Sequence, residues 1–221
     1  MLKRIAAAAA ISLVPVGLAA APAHAYGSCN ISAPSKVAIV APYRAVTTSL
    51  GSSCYYSDTM YASWDLYHST RGLQDIVIFD GTDTDYVDLY DWDPVGTYTF
   101  RPSMALDWDY NNVDQNTRTM VVRLGSRLSA ARSRSGNYVT VSGTATRDAP
   151  KDSRYGRWAN ASVVLRQKSC ASCAWKTVRT GTTNRYGKVS FKAYSPKASY
   201  WQLSTKDTGT TWGKVAGTMY R

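Results

Sequence analysis

The chain has 221 residues, enough for one large or two small domains, is rich in Tyr (16) and Trp (7), and carries a formal net charge of +11. Beyond residue 25 it contains no Glu and a single His, which leaves little material for acid–base or metal-assisted catalysis. No segment sustains apolar residues at i, i+3, i+4 and i+7, so few or no helices are expected.

Residues 1–25 read as a targeting segment rather than as part of the fold. Lys3 and Arg4 form a basic start, an Ala-rich apolar run follows to Ala21, and Ala23-His24-Ala25 is a small-x-small cleavage site. Pro15 and Gly17 interrupt the run, which favours a cleaved signal over a retained anchor. The mature chain is then expected to start at Tyr26, and no later stretch is apolar enough to span a bilayer.

Charge divides the remainder. Residues 26–125 hold 12 Asp against 6 Lys and Arg, a net of −6; residues 126–221 hold 3 Asp against 18 Lys and Arg, a net of +15. Such asymmetry marks two units with different electrostatic roles, or two that dock through opposite charge. The expected domains are therefore 26–125 and 126–221, with the boundary at Gly125-Ser126.

In the first unit, short strands are expected at 36–40, 43–50, 60–67, 76–79, 86–90, 97–101 and 119–124, separated by turn signals. Asp93-Pro94-Val95-Gly96 leads into Thr97-Tyr98, where a Tyr after such a turn sends its hydroxyl back to upstream backbone and pins the corner of a Greek-key sandwich. Trp64 falls in the third strand, where immunoglobulin-like domains bury a Trp. In 86–90 the alternation turns Val87 and Leu89 inward. Cys29 and Cys54 are expected to pair in an exported protein, closing a loop worth about 3 kcal/mol by chain entropy. The segment Asp80-Gly81-Thr82-Asp83-Thr84-Asp85 offers oxygens for calcium, with Asp80, Asp83 and Asp85 as ligands. Its spacing is not that of an EF-hand, and a hairpin of turn-forming, solvated residues is the competing reading. Asp107-Trp108-Asp109 forms a second acidic loop.

In the second unit, strands are expected at 136–143, 161–168, 174–180, 187–193, 200–205 and 214–219, with Val139 and Val141 facing inward. A Gly-flanked Val-x-Val strand, a Trp175-x-x-Val178 strand and then Thr183-Asn184-x-x-Gly187-x-Val189-x-Phe191 resemble the immunoglobulin-like modules of secreted actinobacterial proteins. The resemblance covers 126–221 and implies a β-sandwich without implying a ligand. Cys170 and Cys173 lie between two strands, a setting that favours a local disulfide over a redox pair or a zinc site. Arg166 and Lys168 alternate with Val163 and Leu165, and Lys188 and Lys192 have the opposite parity to Val189 and Phe191. Together with Lys176 and Arg179 they form the candidate surface for a polyanion such as a cell-wall polymer or acidic polysaccharide. No base-reading motif accompanies them.

A catalytic role finds no support. His68 has no nucleophile elbow near it, Asp107 with Asp109 is the least unsuitable carboxylate pair for a glycosidase, and no phosphate loop or dinucleotide fingerprint is present. The expectation is an all-β, non-enzymatic exported protein of two tandem immunoglobulin-like Greek-key sandwiches. It requires no cofactor and binds polyanions through its basic module. Calcium binding by the Asp loop, a purely structural role and protease inhibition are the alternatives.

Overall fold

The computed structural model describes residues 28–54, 59–152 and 154–220, so the signal segment and the start at Tyr26 lie outside the described residues. In the first sandwich, β1 (Ile31–Ser32), β3 (Tyr43–Leu50) and β6 (Thr84–Tyr90) form one sheet. The facing sheet runs β2 (Lys36–Ile39), β8 (Arg118–Leu124), β7 (Gly96–Leu106), β4 (Tyr61–His68) and β5 (Gly72–Asp80), in that spatial order. β2 joins β8 in parallel, whereas the other pairings are antiparallel. The chain crosses between the sheets at β1/β2, β2/β3, β3/β4, β5/β6 and β6/β7. This is the immunoglobulin arrangement, A, B and E against G, F, C and an added edge strand.

The second sandwich repeats it. β9 (Ser126–Ser135), β10 (Tyr138–Ala149), β14 (Lys188–Tyr194) and a short β11 (Arg154–Arg157) face β13 (Lys176–Thr182), β12 (Ser162–Lys168), β15 (Tyr200–Thr205) and β16 (Met219–Tyr220). Alternation along the strands fills both cores: Trp64, Leu66, Val77, Phe79, Val87 and Phe100 in one, Val139, Val141, Leu165, Phe191, Trp201 and Leu203 in the other.

The corner at Tyr98 forms as the sequence indicates. Its hydroxyl donates to the Pro94 carbonyl oxygen at 2.7 Å from a buried ring, and burial, then the nearby Asp93 charge, raise its pKa well above the usual phenol value. His68 packs edge-on to the Tyr98 ring at 4.9 Å. Thr70 N–H donates to its Nδ1, so Nε2 carries the proton and faces the Val95 carbonyl oxygen at 3.3 Å. Gly96 is required here: a Cβ would stand 2.5 Å from His68 Nε2, and its φ is +151°. The one described histidine is thus built into the corner. Buried Trp64 lies edge-to-face with Phe79 and donates Nε1–H to the Asn116 carbonyl oxygen at 2.8 Å. Both expected disulfides, Cys29–Cys54 and Cys170–Cys173, are formed.

Three elements depart from expectation. β9 had no apolar signal because it is an edge strand whose inward side is only half-buried, and it carries Arg132 and Arg134 on that side; Arg134 reaches the carbonyl oxygens of Ser195 and Lys197. Short β11 was likewise unmarked, having only four residues paired with the end of β10. The strand expected at 214–219 shrinks to Met219–Tyr220: Lys214 and Ala216 still bond to Thr205 and Leu203 of β15 around a single bridge at Val215, the ladder breaks before Met219, and residues 210–212 ahead of them meet the first sandwich.

That meeting is a compact junction around Trp212. The indole Nε1–H donates to the Val37 carbonyl oxygen at 2.7 Å, with the Arg123 guanidinium 4.1 Å and the Lys36 ammonium 4.9 Å from the ring. Leu124 N–H donates to the Thr210 carbonyl oxygen, and Trp212 N–H donates to that of Leu124, both at 2.9 Å. Between β8 and β9 stands Gly125, where a Cβ would come within 2.5 Å of Val40 Cγ1. Asp91 and Asp148, both buried, approach each other across the same seam, and burial followed by the Asp91 charge raises the Asp148 pKa. The junction joins cations to an indole and places like charges together.

Candidate polyanion-binding face

The strand register of the second sandwich assembles one continuous outer face. Across β10, Tyr138 pairs with Ser135 and Tyr194, Thr140 with Ser133 and Lys192, Ser142 with Ala131 and Ser190, and Thr144 with Ser129 and Lys188. One step further, Thr146 pairs with Arg127 and Arg157. Directly paired residues share a face, and alternate residues along a strand do too. The side chains of these rows therefore stand together on the side of the sheet away from Val139, Val141 and Phe191. From Tyr138 to Thr146 the face runs about 26 Å at the ordinary strand rise. Its middle is a groove of about 450 Å³, lined by Ser129, Ala131, Ser142, Thr144, Asn184 and Lys188.

Four of the cations around this groove, Arg127, Arg157, Arg185 and Lys192, rest on aromatic rings. Lys192 Nζ lies 4.7 Å from the Tyr138 ring, which is edge-on to Tyr194 at 5.6 Å. At the other end Arg127 lies 3.8 Å from the Tyr155 ring, and Arg157 and Arg185 flank Tyr186 at 5.2 and 4.7 Å. Among the described residues none of Arg157, Arg185, Lys188 and Lys192 is paired with a carboxylate. Cations held on rings are already oriented and remain available to an anion, and hydroxyls between them can donate to the same ligand.

The six basic residues singled out from sequence do not form one patch. Lys188 and Lys192 lie on this face. Arg166 and Lys168 project from the outer face of the opposite sheet, and Lys168 is engaged there, donating to the Ala171 carbonyl oxygen between the Trp175 and Tyr200 rings. A bulge at Leu165/Arg166 sets Arg179 opposite Leu165 and Lys176 opposite Gln167, so both emerge at the β13 edge, on the side opposite Arg166. The sequence reading left Arg127 out altogether. The parity that Arg127 shares with Ser129, Ser133 and Ser135 was the signal available for it.

In the acidic segments, the carboxylates of Asp75, Asp85 and Asp107 are engaged by backbone N–H groups. Asp80 ends β5, Asp83 lies in the turn and Asp85 is the second residue of β6. The Asp85 carboxylate accepts Ile78 N–H at 2.9 Å and its neighbour Tyr86 N–H at 2.8 Å, while Asp75 accepts Ile76 N–H at 2.8 Å. Two N–H groups of edge strand β5 are thereby capped, which closes that edge to pairing with another strand. Among the described residues no group of three or more His, Cys, Asp or Glu is placed to hold a metal ion. Asp107 accepts the N–H groups of Asp109 and Asn111 at 2.9 and 2.8 Å, and the Asn111 backbone bond, the largest influence, holds its pKa below the usual carboxylate value. Such a side chain shapes a turn.

No family model matches the chain, and no curated protein is detectably similar in sequence. Among solved structures, the D0-D1 domain of Intimin aligns over 87% of this chain and 96% of its own, at 12% identity and a TM-score of 0.29. The BSP domain of a biofilm associated protein aligns over 86% of this chain and 29% of its own, at 13% identity and 0.28. A DUF3823 family protein from Bacteroides uniformis aligns over 88% and 98%, at 9% identity and 0.31. With scores this low, the fold rests on the strand pairing described above. Among the described residues no helix is long and apolar enough to cross a membrane.

Proposed function

We propose that this chain is an exported, non-catalytic binding protein, kin to the immunoglobulin-like modules of secreted actinobacterial proteins, that holds an anionic polymer of the cell envelope or an acidic polysaccharide. The observation that carries the reading is the shared face of Arg127, Arg157, Lys188 and Lys192 around a hydroxyl-lined groove. The two disulfides suit an oxidising compartment, as export requires. A repeating anion lying along the face would meet charge at several points, so affinity would fall steeply with salt. The acidic first sandwich would act as a spacer that turns the polymer away from itself by repulsion.

The test is retention on an immobilised acidic polysaccharide across a salt series, comparing the parent chain with the double variant Lys188→Ala, Lys192→Ala. Each lost contact is expected to lower the slope of log affinity against log salt by about one. A parallel variant, Arg166→Ala with Lys176→Ala, removes the same charge elsewhere. If both variants lose affinity equally, the attraction belongs to net charge and the face has no special role.

A further inference from the structure

The seam between β5 and β6 of the first sandwich is built differently from the basic face, and the difference points to a second ligand. A cleft of about 350 Å³ opens there, lined at its mouth by Gln74, Asp75, Asp88, Tyr90, Trp92 and Asp93. Trp92 is 71% exposed, an unusual place for an indole, and it lies flat on Tyr90 with ring centroids 4.6 Å apart and planes 8° from parallel. Tyr43 packs on the other flank of Tyr90 at 5.4 Å. The turn that carries Trp92 is fixed: Asp93 accepts Tyr90 N–H at 2.7 Å and its own N–H donates back to the Tyr90 carbonyl oxygen at 3.1 Å.

The carboxylates beside this platform are held in place but not exhausted. Asp88 accepts from the Tyr43 hydroxyl at 2.8 Å, and Asp75 accepts from Ile76 N–H. An ionised carboxylate can accept about four hydrogen bonds, so each keeps capacity for a ligand's donors. No Lys or Arg lines the cleft. The site therefore presents a rigid flat apolar surface and a row of acceptors, and it repels anions.

We infer that this cleft binds a non-anionic sugar unit. The apolar C–H face of the ring stacks on Trp92, and its hydroxyl or amino hydrogens are donated to Asp75, Asp88 and Asp93. A sugar ring has one apolar face and a rim of donors, which is the complement of what the cleft offers. A pre-formed platform with a few placed polar groups is the usual build of a small-ligand site. The inference does not rest on the polyanion reading, since it uses a different sandwich and the opposite charge.

The test is calorimetric titration of the described chain at fixed ionic strength with oligomers of glucose, of N-acetylglucosamine and of glucosamine, and with oligogalacturonate as the anionic probe. At least one non-anionic oligomer is expected to bind. Trp92→Ala should weaken it by about tenfold or more, as expected for loss of a stacking ring, and Asp88→Asn should weaken it as well. Lys188→Ala with Lys192→Ala should leave it unchanged. Trp92 is largely exposed, so its variant should still melt cooperatively, lowered at most by the loss of its stacking on Tyr90, and such a melt separates loss of a site from loss of a fold. Binding unaffected by Trp92→Ala, tighter binding of oligogalacturonate through Trp92, or no binding of any non-anionic oligomer would each overturn the assignment.

Discussion

Trp212→Ala should uncouple the two sandwiches. The indole contributes one hydrogen bond, to the Val37 carbonyl oxygen, and two cation–aromatic contacts, with Arg123 and Lys36. A net hydrogen bond stabilises by about 1 kcal/mol. Each cation–aromatic contact at a partly exposed site adds about 0.5–1 kcal/mol. The junction thus loses about 2–3 kcal/mol on these terms. For a domain of this size 1 kcal/mol moves Tm by about 4–8 °C, so the less stable sandwich should melt about 8–24 °C lower. Scanning calorimetry is the assay, supported by small-angle scattering for the loss of a fixed angle between sandwiches. Trp212→Phe keeps a ring under the two cations but removes the donor, and should fall between parent and Ala. A Trp212→Ala melt that superimposes on the parent's would refute the reasoning, because the described contacts would then carry no coupling.

Two further outcomes follow from buried polar groups. Tyr98→Phe leaves the Pro94 carbonyl oxygen without its partner and should cost about 1–2 kcal/mol, confined to the first sandwich's transition in the same calorimeter. Asp148 is 4% exposed, its Oδ2 has no hydrogen-bond partner, and its pKa is raised. A carboxyl whose folded pKa is raised favours folding when protonated and opposes it once ionised, so its contribution is lost as pH rises through the folded pKa. Asp148→Asn should therefore raise Tm by a few degrees at neutral pH. The gain should vanish as pH is lowered toward the unperturbed carboxylate value of 3.8, which a pH series of thermal melts would show.

The fold was legible wherever burial imposes alternation or a corner imposes a residue. Val87 with Leu89, Val139 with Val141, and Tyr98 after Asp93-Pro94 are such positions, because one face of a strand or one turn geometry leaves few choices. β9 was illegible because an edge strand half-buried on one side has no need of apolar residues. The segment before β16 misled because it bonds to β15 only around Val215 and the ladder breaks before Met219, and local pattern cannot register where pairing is interrupted. The basic face was only partly legible for a related reason. Parity along one strand shows which side a lysine takes, and it does so correctly for Lys188 and Lys192. It does not show which strands lie beside it, so Arg166 and Lys168 seemed equivalent to them while belonging to the opposite sheet. The Asp-rich loop was ambiguous because the same carboxylates that could hold a cation can instead cap backbone N–H groups. Asp85 takes the second course.

The position of Trp212 in the chain also orders events in time. Every strand of the first sandwich lies before Gly125, so that unit has all its pairing partners as soon as β8 is made. The residue that fastens the second unit to it arrives only after β15, a few residues before the last strand. A growing or exported chain therefore passes through a stage in which two sandwiches are largely assembled and still swing freely about Gly125. The angle between them is set last, and a cut between β15 and Trp212 would part that fastening residue from the chain of the second sandwich.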